Sequence, residues 1–517
     1  NTALAASPVL SPAQYAFLPG MNITDPTHLV ELVYEQARKR APPVPSPTKA
    51  NSQKPKKEQH HTHIAFLDMK KAFDKVEFQV GEEALKRLNA PPKLRRLLSN
   101  LNVSSRRTAS TEDGTTDEWA LKTGIPQGCV LSPFRFAAVM DMLSTWLTHR
   151  CNNRATSGRP IGFRLDTSPI RKKHQPWATA THVLINHLLY ADDICLVAET
   201  HDDLQELVGI TSEFLSTIGI ELSANKSLYT TNDVAPRPIY TGGTLTGDGS
   251  LLAKWEPDTT SPTLTFKRPD EPIRYLGVHY DLQGNWNKQA EILKERLRDC
   301  LKAIEYKQLT MDQMRFVINS YVVPKLTYAL SVTSIIGKHT KLAATLDTTI
   351  RKFVFKYFGL SPTTTTHCAH APLKHWGLGL YSIEDRVCGA VITNTTVALN
   401  DWQLSAAWDT QANLAVGPTR ALYTQYRDSA NQYPQALCGA LHMHMLAKNT
   451  ATFPMRHTSR VVQTRSVVNN LIRTLGSKGY SIDSPLYSTP QMIPLHTRMA
   501  NSLHPAETWI SRVLPNH

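Results

Sequence analysis

The sequence has little of what stabilises secreted or membrane-embedded chains. It holds 7 cysteines in 517 residues. That odd, scattered set does not suit a disulfide framework, so a reducing compartment is expected. No apolar run approaches the ~20 residues that cross a bilayer, and no signal-peptide pattern stands out. The chain opens on Asn1 rather than Met, as a fragment or a trimmed product would. Acidic residues are the scarcer charge. Asp+Glu number 43 against 57 Lys+Arg, which leaves a formal charge of +14. That imbalance suits a polyanionic partner such as nucleic acid, although a soluble basic protein with a solvated surface shares the composition.

What is present supports a sizeable core. Hydrophobic residues make up 41% of the chain, whose length allows two to four domains. Residues 41–59 are rich in Pro, Lys and Ser, and predict an extended or disordered basic loop. Residues 27–40 before it predict a short helix. Residues 63–67 (HIAFL) predict a buried strand ending at Asp68. A helix is expected over 81–88. Another follows an N-cap at Ser132 with Pro133 in its first turn, and runs to about Arg150. Its apolar stripe is Phe136, Val139, Met140, Leu143, Trp146 and Leu147. Residues 188–190 and 194–197 predict a β-hairpin with Ala191-Asp192-Asp193 at its tip. Thr200 and Asp203 fit a capping box for the next helix, which Gly219 ends. A strand is then expected at 220–222, a loop-like stretch over 231–270 and a strand at 273–279. Helices follow over 287–306, 311–332 (kinked or broken at Pro324) and 342–358, closed by Gly359. The central block implies an α+β layer, an antiparallel sheet with helices on one face.

Three acids carry the chemistry. Asp68 ends an apolar strand, and Asp192-Asp193 lie between two apolar runs. Carboxylates beside buried strands cost desolvation energy unless a partner compensates. Alone, an Asp-Asp pair is usually a solvated turn, and a strand-end Asp is usually a cap. Together, on two separate strands, they are hard oxygen donors suited to Mg²⁺, with positions left for phosphate oxygens.

The wording around these acids resembles reverse transcriptases. Phe66-Leu67-Asp68-Met69-Lys70-Lys71-Ala72-Phe73-Asp74-Lys75-Val76 is similar to their motif A. Gly124-Ile125-Pro126-Gln127-Gly128-Cys129-Val130-Leu131-Ser132-Pro133 is similar to motif B, and Tyr190-Ala191-Asp192-Asp193 to motif C. Leu222-Ser223-Ala224-Asn225-Lys226-Ser227 resembles motif D, and Tyr275-Leu276-Gly277-Val278 motif E. All five stand in the family's order, over roughly residues 14–360, and KAFD, GIPQG and LLYADD lie nearest the non-LTR (LINE-type) retrotransposon enzymes. The resemblance implies a right-hand polymerase. Partial fingers would occupy 1–60, the palm with remaining fingers elements 61–285, a helical thumb 286–360, and a C-terminal region of unknown role 361–517.

It also implies roles. Asp68 and Asp192 would be the main ligands of two Mg²⁺ or Mn²⁺ ions, with Asp193 in support and Met69 lending a backbone carbonyl. Phe73 would be a steric gate against a ribose 2′-hydroxyl, with simple core packing as the other reading. Gln127 and Gly128 would lie beside the incoming base. Lys226 would be the general acid for pyrophosphate, with a solvated lysine as the plainer reading. Tyr190, Leu276 and Gly277 would hold the primer end. The implied partners are an RNA template, a DNA primer and dNTPs, with an endonuclease on a missing segment or a separate chain. No membrane partner is implied, and the location would be intracellular, in nucleus and cytoplasm. A catalytically inactive or domesticated relative, serving as an RNA-binding scaffold, is the rival reading.

Departures are equally specific. Gln14-Tyr15-Ala16-Phe17-Leu18-Pro19-Gly20 resembles a worn fingers motif in which Leu18 replaces a frequent Arg. His367, Cys368, His370, His375 and Cys388 match no standard zinc spacing, so zinc is not expected.

Overall fold

A computed structural model describes most of residues 10–40, 61–166, 182–246, 254–332 and 341–390. Short internal gaps include 126–128 and 374–376. The basic loop at 41–59 and nearly all of the C-terminal region lie outside the described residues. The chain divides into two compact units. The first draws on 1–26, 36–165 and 183–276; the second draws on 27–35, 166–182 and the chain from Gly277 onward.

The elements run in order from helix α1 (Thr24–Arg40) to strand β1 (His63–Leu67), then helices α2 (Ala72–Lys75), α3 (Phe78–Arg87) and α4 (Pro92–Val103). Two tiny hairpins follow: β2 (Arg106–Arg107) with β5 (Trp119–Ala120), and β3 (Ser110–Thr111) with β4 (Gly114–Thr115). Helix α5 (Ser132–Thr156) leads to β6 (Phe163–Asp166), β7 (His182–Ile185), β8 (His187–Tyr190) and β9 (Asp193–Ala198). After helix α6 (His201–Thr217) come β10 (Leu228–Thr231), β11 (Gly243–Thr246), β12 (Lys254–Pro257), β13 (Thr265–Lys267), β14 (Ile273–Tyr275) and β15 (Val278–Tyr280).

One five-stranded sheet, ordered β13-β10-β1-β9-β8, frames the first unit. β1 sits at its centre with all five residues buried, as an uncharged apolar run should. It is antiparallel to β9 and to β10, with Leu67 opposite Ile194 and Phe66 opposite Leu228. Helices α5 and α6 cover the sheet, and Phe136, Met140, Leu143 and Leu147 are fully buried on α5. Trp146, expected on that stripe, is 46% exposed. Thr200 caps α6 as its spacing predicts, its hydroxyl accepting from the Asp203 N–H at 3.2 Å. The helix is closed by Gly219 at φ 79°.

The structure corrects several expectations. The sheet is mixed, because β13 joins β10 in parallel. α5 begins at Ser132 itself and extends past Arg150. No strand forms at 220–222, where Leu222 makes only an isolated bridge to Met69. The stretch 231–270, expected as loop, contains β11, β12 and β13. Its hairpin docks through Trp255, whose indole lies so close to α6 that a Cβ on Gly209 would meet it at 2.1 Å. The predicted strand 273–279 is two strands parted by Leu276 (φ 45°) and Gly277 (φ 83°).

The second unit contains α7 (Asn287–Glu305), α8 (Met311–Val317), a π-turn (Ile318–Val322), α9 (Val323–Val332), α10 (Leu342–Tyr357) and α11 (Thr366–His370). Pro324 does not break the helical run. It lies just after the π-turn, whose wider winding accommodates the missing N–H and the ring.

Two predictions follow from this packing. Gly209→Ala should lower stability by about 1–3 kcal/mol despite alanine's better helix propensity, because the ring must shift. Trp255→Ala in the same chain should remove most of that coupling in a double-mutant cycle read by thermal melting. Burial pushes the imidazoles of His63 and His187 down to about 4. The unfolded chain therefore binds their protons first. Stability should fall as pH drops from about 6.5 towards 4, and His187→Gln should flatten that slope.

Candidate active site

Asp68 follows β1, and its backbone is fixed by a turn further along the chain. Its N–H donates to Ser227 Oγ at 3.0 Å, and its carbonyl accepts from the Ser223 N–H at 2.8 Å. Next to it, the Lys70 N–H donates to the Glu221 carbonyl at 2.9 Å. Lys226 sits on this same turn with its side chain exposed, its N–H bonded to the Ser223 carbonyl at 3.0 Å. The turn that would carry the general acid is thus tied to the strand end that carries Asp68. Met69 is buried in the same segment. Outside it, Glu221 bridges Lys70 and Lys75 at 3.0 and 3.5 Å. These exposed pairs contribute little to stability.

The other two acids come from the β8–β9 hairpin, where Tyr190 pairs with Asp193 across a two-residue turn. Ala191 in that turn has φ 55°. A left-handed alanine costs about 1 kcal/mol relative to glycine, a strain held by the buried strands on either side. Because Leu67 opposes Ile194 in the β1–β9 register, one more step sets Asp68 opposite Asp193. The electrostatics agree with that placement. Partial desolvation, then repulsion from Asp192 and Asp68, pushes the Asp193 carboxyl up to about 6, against a lowering pull from Arg274. The hydroxyl of Tyr190 is also raised, by burial and then by Asp193.

Phe73 is half-buried and stacks on Phe136, with ring centroids 4.2 Å apart and planes 20° from parallel. The ring therefore packs against the first turn of α5 and still keeps an exposed portion. The start of the Gly-rich loop is fastened to the same place. The Gly124 N–H donates to the Val76 carbonyl at 2.9 Å, and the Ile125 N–H to the Phe73 carbonyl at 2.6 Å. Gly124 has φ 96°, and a Cβ there would meet the Asp74 carbonyl oxygen at 2.7 Å, so only glycine fits. Gln127 and Gly128 lie outside the described residues. Leu276 ends the last segment of the first unit and Gly277 begins the last segment of the second. Arg274, two residues before Leu276, brings this strand within electrostatic reach of Asp193.

Sequence reasoning missed Arg274 and Ser227. Arg274 is the exposed residue between buried Ile273 and Tyr275, so strand alternation alone singles it out. Ser227 acts through a backbone contact, for which its sequence carries no signal. Of the five His and Cys residues weighed for zinc, only Cys368 and His370 have described side chains, and His370 Nδ1 lies 3.0 Å from the Leu380 carbonyl.

Among the described residues, no three His, Cys, Asp or Glu side chains are already gathered closely enough to hold a metal ion. The donor chemistry nevertheless fits a hard divalent cation: three carboxylates stand at the ends of two strands, and Asp192 and Asp68 both raise Asp193. Removing one charge should therefore relieve the metal-free protein. A carboxyl raised in the folded state contributes least at neutral pH. Asp193→Asn should accordingly raise metal-free stability near pH 7 by about 1 kcal/mol, a figure discounted for solvent screening. The gain should vanish below about pH 4, as melting curves at the two pH values would show.

The family model for reverse transcriptase (RNA-dependent DNA polymerase) matches residues 1–280. The Pol polyprotein of the type-2 retrotransposable element R2DM of Drosophila melanogaster is 26% identical over 384 residues, 74% of this chain and 31% of that protein. A type-1 element R2 polyprotein of Popillia japonica is 27% identical over 329 residues, 63% of this chain and 40% of its own length. The chain thus spans about a third of the length of these relatives. Among solved structures, a Candida albicans telomerase in complex with telomeric RNA overlaps 88% of this chain and 57% of its own, at 11% identity and TM-score 0.35. A Candida tropicalis telomerase with such RNA overlaps 79% and 55%, at 12% identity and TM-score 0.32. At such low TM-scores they bear on no element here. The match over more than half the chain, with the strand-end acids where the motifs put them, means that this chain belongs to the reverse transcriptase family, on its non-LTR retrotransposon branch.

Proposed function

We propose that this chain copies RNA into DNA by two-metal nucleotidyl transfer in the service of retrotransposition. The observation that carries the reading is the strand register, which sets Asp68 at the end of β1 beside the Asp192-Asp193 pair of the β8–β9 hairpin. Those carboxylates, with the Met69 carbonyl, would hold Mg²⁺ or Mn²⁺. Bound there, the ions supply Lewis-acid activation of a primer 3′-hydroxyl and charge neutralisation at the leaving pyrophosphate. The protein's own part is positioning. Phe73, braced on Phe136, limits the space beside the sugar of the incoming nucleotide. Lys226 donates a proton to the departing pyrophosphate oxygen. Tyr190, Leu276 and Gly277 support the primer end, and Gln127 with Gly128 borders the templating base.

The template would be RNA, the primer DNA and the monomers dNTPs. An endonuclease that opens a target would come from another segment of a longer protein or from a separate chain. Such work belongs inside the cell, in nucleus and cytoplasm.

The test is primer extension by the purified chain on an RNA template with dNTPs and Mg²⁺. Extension should occur and should require the divalent ion. Asp192→Ala/Asp193→Ala should abolish it, by a factor of 10³ or more, without loss of template binding. Equal extension by parent and double variant would refute the site. Tight RNA binding with no extension by the parent would favour an inactive scaffold.

A further inference from the structure

The second unit has a helical face that its core does not use. Along α8, the π-turn and α9, the residues Met314, Ile318, Val322 and Leu326 are buried. Phe316 and Tyr321 point away from that side, 69% and 54% exposed, with Ser320, Pro324 and Lys325 exposed beside them. In a regular α-helix, positions five apart diverge by about 140°. The wider π-turn brings Tyr321 part of the way back towards Phe316, and both rings are exposed away from the buried row of Met314, Ile318 and Val322.

Cations accompany the rings. Lys325 Nζ donates to the Tyr321 hydroxyl at 2.5 Å and lies 3.8 Å from the ring centre. Across the packing it lies within electrostatic reach of Arg296 and Cys300 of α7. Among the described residues, neither Lys325 nor Arg296 forms an ion pair. By contrast, Lys288 pairs with Glu291, and Arg315 with Asp312.

This combination narrows the occupant. Covering the face with apolar protein would bury two cations without counter-charge, which is unfavourable. A polyanion with flat, exposed π-faces satisfies both features at once. Paired bases keep their faces inside the duplex stack, and only unpaired bases can lie on a side-chain ring. We propose that the outer face of α8, the π-turn and α9 binds single-stranded nucleic acid. Unpaired bases stack on Phe316 and Tyr321, and backbone phosphates meet Lys325 and Arg296. This surface belongs to the second unit and the carboxylates to the first, and single-strand binding needs no catalysis.

The test uses the full chain and fluorescein-labelled oligonucleotides: unstructured oligo-U RNA, oligo-dT DNA and a blunt duplex of equal length. Anisotropy titrations are run over a range of salt. Phe316→Ala and Tyr321→Ala should each weaken single-strand binding about 5–100-fold and leave duplex binding unchanged. Lys325→Ala should weaken it and lower the salt slope by about one phosphate contact, and Lys325→Arg should restore it. The RNA and DNA arms identify the preferred strand. Unchanged single-strand affinity in a folded Phe316→Ala/Tyr321→Ala chain would overturn the proposal. So would self-association that this double variant abolishes while single-strand affinity persists, since the face would then dock protein.

Discussion

Repulsion between carboxylates that the sheet will not let separate is the constraint on which the rest of the first unit turns. β1 is buried on both faces, so its end cannot drift towards solvent without unpicking the core. β9 is locked to it residue by residue. The acids at these two ends therefore face one another whatever their charge. Arg274 offsets part of the cost, and the Asp68 backbone is held by a serine hydroxyl rather than left to relax. Ala191 adds backbone strain in the same few residues. A site arranged this way is less stable than its surroundings, as expected where charge is stored for use rather than cancelled.

The sheet that bears this load has its β8 edge covered. On the β8 side, residues 13–15 add a short backbone pairing, with the Leu189 N–H donating to the Ala13 carbonyl at 2.8 Å and the Tyr15 N–H to the Leu189 carbonyl at 2.9 Å. The start of the stretch that resembles a worn fingers motif thus pairs with β8. The same segment is tied to α5, where Ser144 Oγ donates to Ser11 Oγ at 2.5 Å and lies 2.6 Å from His187 Nε2. On the far side, β13 forms the other edge, joined in parallel to β10. A covered edge denies the sheet a template for pairing with another chain there.

Much of this was legible in the sequence, and the reasons are local. β1 announced itself as an uncharged apolar run, Thr200 and Asp203 as a cap, and the Asp-Asp pair as a hairpin tip. Each signal lives within a few residues. The failures are non-local. β11 to β13 sit in a Thr-, Pro- and Gly-rich stretch whose strand character comes from docking Trp255 on Gly209, 46 positions apart in the chain. Trp146 kept helical spacing yet faces solvent, because neighbouring elements decide which part of a stripe is covered. Leu276 reads as a strand residue but turns left-handed, a backbone state its side chain does not advertise. Likewise Ser227 and Arg274 matter through what they approach.

The π-turn at 318–322 has a genealogical consequence. A π-turn is an α-helix with one residue too many. The surplus residue shifts everything after it by a fraction of a turn, so an ungapped comparison of this helix with a regular one assigns the wrong face to Lys325 and beyond. Deleting one residue here would restore regular winding and swing Pro324 back into an ordinary helical interior, where it is poorly tolerated. The extra residue and the proline therefore make sense as a pair.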